Sequence, residues 1–111
     1  MYKRQEENQQ KPFFLYLSLT IPHANNEARG NGMEIPSDEP FSNKDWPQTE
    51  KNFAAMINRM DADIGKIMST LKALNLDENT VVMFSSDNGA HSEGGHAVSY
   101  THLTLPTNRE V

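Results

Sequence analysis

Asp87 and Asn88 stand side by side directly after the apolar run Val81-Val-Met-Phe-Ser-Ser86. A short apolar run of this kind fits a buried strand. Its abrupt stop puts a carboxylate and an amide oxygen at the carboxyl end of that strand, where open α/β sheets place their ligands. Two adjacent hard oxygen donors suit calcium or magnesium. The plainer reading of the same residues is a strand followed by an Asn-Gly turn at Asn88-Gly89. His23 is the second candidate, because it follows the apolar run of residues 12–21 and again falls at a strand end. Taken alone, it is also compatible with an ordinary loop histidine. His91, Glu93 and His96 lie on the Gly-rich stretch Ala90-His-Ser-Glu-Gly-Gly-His96. The two histidines there are five apart, which is not helical metal-ligand spacing.

The elements that must position these groups are legible in outline. Pro12-Phe-Phe-Leu-Tyr-Leu-Ser-Leu-Thr-Ile21 reads as a central strand, with Pro12 at its start where a missing N–H is tolerated. Residues 24–45 are rich in Gly, Pro and Asn and form a long irregular loop, which a compact domain seldom carries unless the loop is functional or disordered. Met33, Ile35, Phe41 and Trp46 are placed to tack it down. A helix should follow. Asp45 with Gln48 fits a capping box, and Pro47 sits harmlessly in the first turn. Phe53, Met56, Ile57, Met60, Ile64, Ile67, Met68, Leu71 and Leu74 recur at steps of three and four, which marks one apolar face. Those methionines read as core. Asn75 can take the left-handed C′ conformation, with Leu76 folding back over the last turn. The order strand, loop, helix, strand predicts a parallel α/β sheet with a right-handed crossover. His23 and the Asp87-Asn88 pair would then face one cleft.

Composition excludes several classes. The 111 residues carry a formal net charge of −5 and no basic stripe, so nucleic-acid binding has little support. No apolar stretch is long enough to span a membrane. There is no cysteine, hence no disulfide framework and no thiolate metal site in this chain.

The two ends have a different character. Residues 1–5, Met-Tyr-Lys-Arg-Gln, match a translated sequencing adapter read through GTG TAT AAG AGA CAG, with the GTG start decoded as Met. Residues 98–107, Val-Ser-Tyr-Thr-His-Leu-Thr-Leu-Pro-Thr, match the same element inverted, GTC TCT TAT ACA CAT CTG ACG CTG CCG ACG. Residues 108–111 would then be a sample index before a stop codon. Ala97 falls on the junction, so the genuine residue there would be Asp, Glu, Gly, Val or Ala. Such segments are excluded from fold reasoning. The alternative is a natural tail that matches by chance. The organisation expected is adapter over 1–5, a domain fragment over 6–97 and adapter over 98–111.

Three stretches together carry a resemblance: Pro12-Phe-Phe-Leu-Tyr-Leu with Ile21-Pro-His23; Asn52-Phe-Ala-Ala-Met-Ile57 with Met60-Asp-Ala-Asp-Ile-Gly65; and Leu76-Asp-Glu-Asn-Thr-Val-Val-Met-Phe-Ser-Ser-Asp-Asn-Gly89. In this order and spacing the chain resembles the type I sulfatases, in particular bacterial arylsulfatase A-like enzymes of the alkaline phosphatase superfamily. The resemblance implies an incomplete α/β catalytic domain, with part of a parallel or mixed sheet sandwiched by helices. It implies hydrolysis of sulfate esters, on a sulfated small molecule or glycan, through a formylglycine nucleophile made from a cysteine. Calcium would neutralise the sulfate oxygens, held in part by Asp87 and Asn88. His23 would bind the sulfate and steady its oxygens during transfer, and His91, Glu93 and His96 would be residues of the substrate rim. Export to the periplasm or outside is the family habit, and oligomeric state is not readable.

The departures matter equally. The cysteine, the early aspartate pair, the arginine of the nucleophile motif and a later lysine are all missing, so the chain itself is expected to be inactive. Three other readings stay open: a phosphodiesterase or phosphonate hydrolase of the same superfamily, a non-catalytic calcium- or carbohydrate-binding descendant, and a free-standing interaction module built on the amphipathic helix.

Overall fold

The apolar steps of three and four produce the element they predict. A computed structural model describes residue 7 and residues 11–87, and its main element is a single long helix, α1, Gln48–Ala73. Its carboxyl end is closed as the side chains suggest. Asn75 has a φ of 54°, in the left-handed region that Asn tolerates better than most residues. The Leu76 amide donates to Leu71 O at 2.9 Å and the Asn75 amide to Lys72 O at 3.0 Å, the paired bonds of a Schellman motif. Leu71 is buried and Leu76 half-buried beside it. A short 3-10 turn, Asp77–Asn79, follows.

The amino end differs from expectation. Pro47 occupies the N-cap with no side-chain capping bond, so the Asp45–Gln48 capping box does not form. Gln48 instead donates to Asp38 Oδ2 and to Asn52 Oδ1, both at 2.9 Å. A partner ten residues back along the loop wins over the local cap.

Residues 24–45 are an ordered loop. The 3-10 turn Asn26–Asn31 is capped by Asn25, whose side chain accepts from the Glu27 amide. The Asn25 amide donates to Gly32 O at 2.8 Å and brings the two ends of this turn together. Ala24 and Met33 are buried with Met56 of α1 in one cluster, and Ile21, Ile35 and Phe53 pack around it. Burying the two methionines contributes roughly 2 kcal/mol each, as an upper estimate. Of the four residues placed to tack the loop down, Met33 and Ile35 join this cluster. Phe41 and Trp46 instead stack on each other.

The expected strands, residues 12–21 and 81–84, are not strands in the structure, and no sheet forms among the described residues. A strand is completed by ladder bonds to a second one, and among the described residues no such bond links these two segments. The residue pattern survives all the same. Phe14 (92%) and Tyr16 (81%) are open to solvent, whereas Phe13, Leu15, Leu17 and Leu19 are 40–45% exposed. That period-two alternation is the signature of an extended segment with one face partly covered. Val81 and Met83 are similarly open, with Val82 half covered between them. The apolar face of α1 is only partly used: Met56 and Leu71 are buried, while Ile57 and Met68 are exposed.

Gly65 lies inside α1, and a Cβ built there meets nothing within 4 Å. Glycine in a helix interior is about 0.5–1 kcal/mol less favourable than alanine. Gly65→Ala should therefore stabilise this chain by about that amount in thermal unfolding followed at 222 nm. A loss of stability would show that another element already packs against this face.

Candidate active site

His23 is exposed, but the backbone on both sides of it is anchored. Ile21 packs against the Ala24–Met33–Met56 cluster and Ala24 is part of it. The His23 amide donates to Thr20 O at 3.0 Å and closes a turn that contains the cis Ile21–Pro22 bond. The ring is tied as well, with Nδ1 2.6 Å from Ala24 O. A backbone carbonyl only accepts, so Nδ1 carries the proton in this contact.

A relay of side chains on the first turns of α1 holds the loop after His23. Asn52 Nδ2 donates to Met33 O at 2.9 Å. Asn52 Oδ1 accepts from Gln48, which fixes which way the amide points. Gln48 in turn donates to Asp38, and Asp38 Oδ1 accepts from the Ser42 hydroxyl at 2.6 Å. Lys51 Nζ adds a bond to Ser42 O at 3.1 Å. The Ser42 hydroxyl, then the Gln48 amide, hold the Asp38 carboxyl below its ordinary value of 3.8. A depressed carboxylate pKa means that this grip is fully present above the ordinary carboxylate range. It is lost as pH falls through the lowered value. Sequence reasoning missed Gln48 and Asn52 as loop anchors. The available signal was their i, i+4 spacing, at which two amide side chains can meet on one helix face.

Asp87 is exposed at the end of the 81–86 segment. Asn88, His91, Glu93 and His96 lie outside the described residues. Among the described residues, no group of three or more His, Cys, Asp or Glu converges as a metal site. His23 and Asp87 are both exposed. Asp61 and Asp63 lie on α1. Lys66 donates to Asp63 at 2.6 Å and holds its carboxyl low, an i, i+3 surface pair of small energetic weight. No described helix is long and apolar enough to cross a membrane.

The sulfatase family model matches residues 1–108. The chain is 31% identical to N-acetylgalactosamine-6-sulfatase of Canis lupus familiaris over 87 residues, which is 78% of this chain and 14% of that protein. It is 29% identical to endo-4-O-sulfatase of Bacteroides thetaiotaomicron over 93 residues, covering 71% of this chain and 18% of the relative. Over a shorter stretch of 43 residues it is 51% identical to an arylsulfatase of Klebsiella aerogenes, covering 39% of this chain and 9% of that protein. The chain therefore spans less than a fifth of the length of these relatives. No solved structure matches it.

If the relay holds the loop, Asn52→Ala leaves the Met33 carbonyl without its amide partner, at about 1–2 kcal/mol. Hydrogen exchange at the Asn25 amide should then speed up by about 5- to 30-fold, with the amides of residues 60–72 unchanged. Unchanged exchange at Asn25 would mean that the apolar cluster alone secures the loop.

Proposed function

Because this chain belongs to the sulfatase family, we propose that it is an internal piece of the catalytic domain of a sulfate-ester hydrolase, with His23 as a sulfate-binding residue. The observation that carries this reading is the treatment of His23. The residue is exposed, yet its neighbours on both sides pack into the core and its Nδ1 is engaged. A histidine held this way keeps its ring in one orientation. In its protonated form it donates to an anionic oxygen with a charge-assisted bond. Such a donor, pre-placed where charge builds up on the sulfate oxygens, stabilises transfer without rearrangement.

Calcium is the ion that the family resemblance implies. Asp87 offers the hard carboxylate oxygen that calcium takes, and Asn88 beside it an amide oxygen. The donor type fits. Two residues do not complete a shell of six to eight oxygens, so the other ligands belong to parts of the parent that this chain does not contain. When bound, the ion would neutralise sulfate charge. The formylglycine of this reading has no precursor here, because the chain has no cysteine. We therefore take the 111-residue chain to be inactive and its parent to be the enzyme. His91, Glu93 and His96 keep the role of rim residues.

Two matched relatives are named for a sulfated sugar, an N-acetylgalactosamine-6-sulfatase and an N-acetylgalactosamine-6-O-sulfatase. A sulfated glycan is the substrate class that we favour, with export from the cytoplasm as its natural companion. The adapter reading of residues 1–5 and 98–111 belongs to the same proposal. A phosphodiesterase of the same superfamily is the second reading, which a Thr or Ser nucleophile in the parent would favour.

In the full-length parent, His23→Ala should lower kcat on an aryl sulfate by about 10²- to 10³-fold, the usual consequence of losing one oxyanion donor. The purified 111-residue chain should show no turnover. Full activity in the variant would remove His23 from the mechanism, and turnover by the short chain would overturn its assignment as an inactive piece.

A further inference from the structure

The turn leading into α1 carries an aromatic pair that the site described above does not use. Phe41 and Trp46 stack with ring centroids 5.7 Å apart and planes inclined by 22°. Trp46 remains 44% exposed, so Phe41 covers part of the indole and leaves the rest open. Lys44 holds its ammonium 5.9 Å from the Trp46 ring centroid, at the outer limit of a cation–π contact. Among the described residues that ammonium has no carboxylate partner, although Asp45 adjoins it in sequence and the chain carries a net charge of −5.

These three side chains are presented from a braced segment. The Phe41 amide donates to Asp38 O at 2.8 Å, and the Lys44 amide to Phe41 O at 2.9 Å. Asp38 is held by Ser42 and Gln48, and Lys51 ties Ser42 O to α1. The same relay that secures the loop behind His23 therefore secures the aromatic pair.

The chemistry of the cluster selects its ligand. An indole face is electron-rich, and the C–H bonds on one face of a pyranose ring present their positive ends to it. The Lys44 ammonium, which lies over that indole, can turn away from it onto an anionic group of the sugar and form a charge-assisted bond. A cation of this kind favours an anionic sugar over a neutral one. We propose that Phe41, Lys44 and Trp46 form a subsite for a sulfated sugar residue. The pyranose lies on the indole of Trp46, and a sulfate oxygen accepts from the Lys44 ammonium. This deepens, and rests on, the reading of the parent as a sulfatase of glycans, but binding at the subsite requires no turnover.

Trp46 is the single tryptophan of the chain, so its fluorescence reports on this subsite alone. The 111-residue chain would be titrated with a chondroitin 6-sulfate disaccharide, with the unsulfated disaccharide and with sodium sulfate. The sulfated disaccharide should give a saturable change in emission. Affinity should fall about ten-fold or more for the unsulfated sugar and for Lys44→Ala, and return in Lys44→Arg. Sodium sulfate should leave the emission unchanged. No saturable change at millimolar sulfated disaccharide overturns the proposal. So does an equal response in Lys44→Ala, or a Trp46 emission that is already that of a fully hydrated indole. Binding here by a parent that hydrolyses no sulfate ester would keep the subsite and remove the sulfatase reading. Hydrolysis by the parent with no binding here would remove the subsite alone.

Discussion

The packing of Met56 against Ala24 and Met33 is the contact on which the rest of this chain depends. It joins the first turns of α1 to a loop that would otherwise be a long irregular stretch. Once Met33 is buried, its carbonyl needs a donor, and Asn52 supplies one from the next part of the helix face. Once Asn52 is committed to Met33, Gln48 fixes its amide from the other side and reaches Asp38. Apolar burial and a short polar relay thus work on the same helix face. The consequence at the amino end of the loop is a histidine with anchored neighbours. The consequence at its carboxyl end is an aromatic pair on a braced turn.

A second constraint runs the other way. Residues 13–19 and 81–84 are as apolar as central strands, yet they stay exposed and unpaired among the described residues. Such segments are poor companions for water and ready partners for other chains. Their alternating exposure shows that the extended form needed for a sheet is already present in local conformation. A sheet, however, is a property of at least two strands. The chain covers 14–18% of the first relatives described above. Extended apolar segments with no ladder partner among the described residues, and a half-covered helix face, suit a piece that completes its core with other sequence.

What could be read from the sequence divides along the same physical line. The helix was legible because its signal is local: apolar residues at every third or fourth place and an Asn able to take positive φ after Leu74. The amino-terminal cap was not, because Gln48 chose Asp38 over the nearby Asp45 partner, and nothing in the local pattern ranks those two. The order of residues 24–45 depends on Asn52 meeting Met33, nineteen residues away. Periodicity carries no information at that range. The strand pattern was legible, whereas the pairing was not, because the pattern says which face is apolar and not what covers it. His23 was legible as a position after an apolar run, but its anchoring came only from the structure. Asp87 stands at an exposed segment end, and its neighbour Asn88 lies outside the described residues.

The central claim is that this chain is an internal piece of a sulfatase catalytic domain, and the most direct test is made on DNA. Amplifying outward from the coding sequence of residues 6–96 gives the frame on both sides. The account predicts an open frame that continues upstream to a Cys-X-Pro/Ala-Ser/Gly-Arg motif and downstream past codon 97 to a lysine. A locus that encodes Met1 to Val111 between a native start and a native stop would contradict it, and a small non-catalytic protein would take its place.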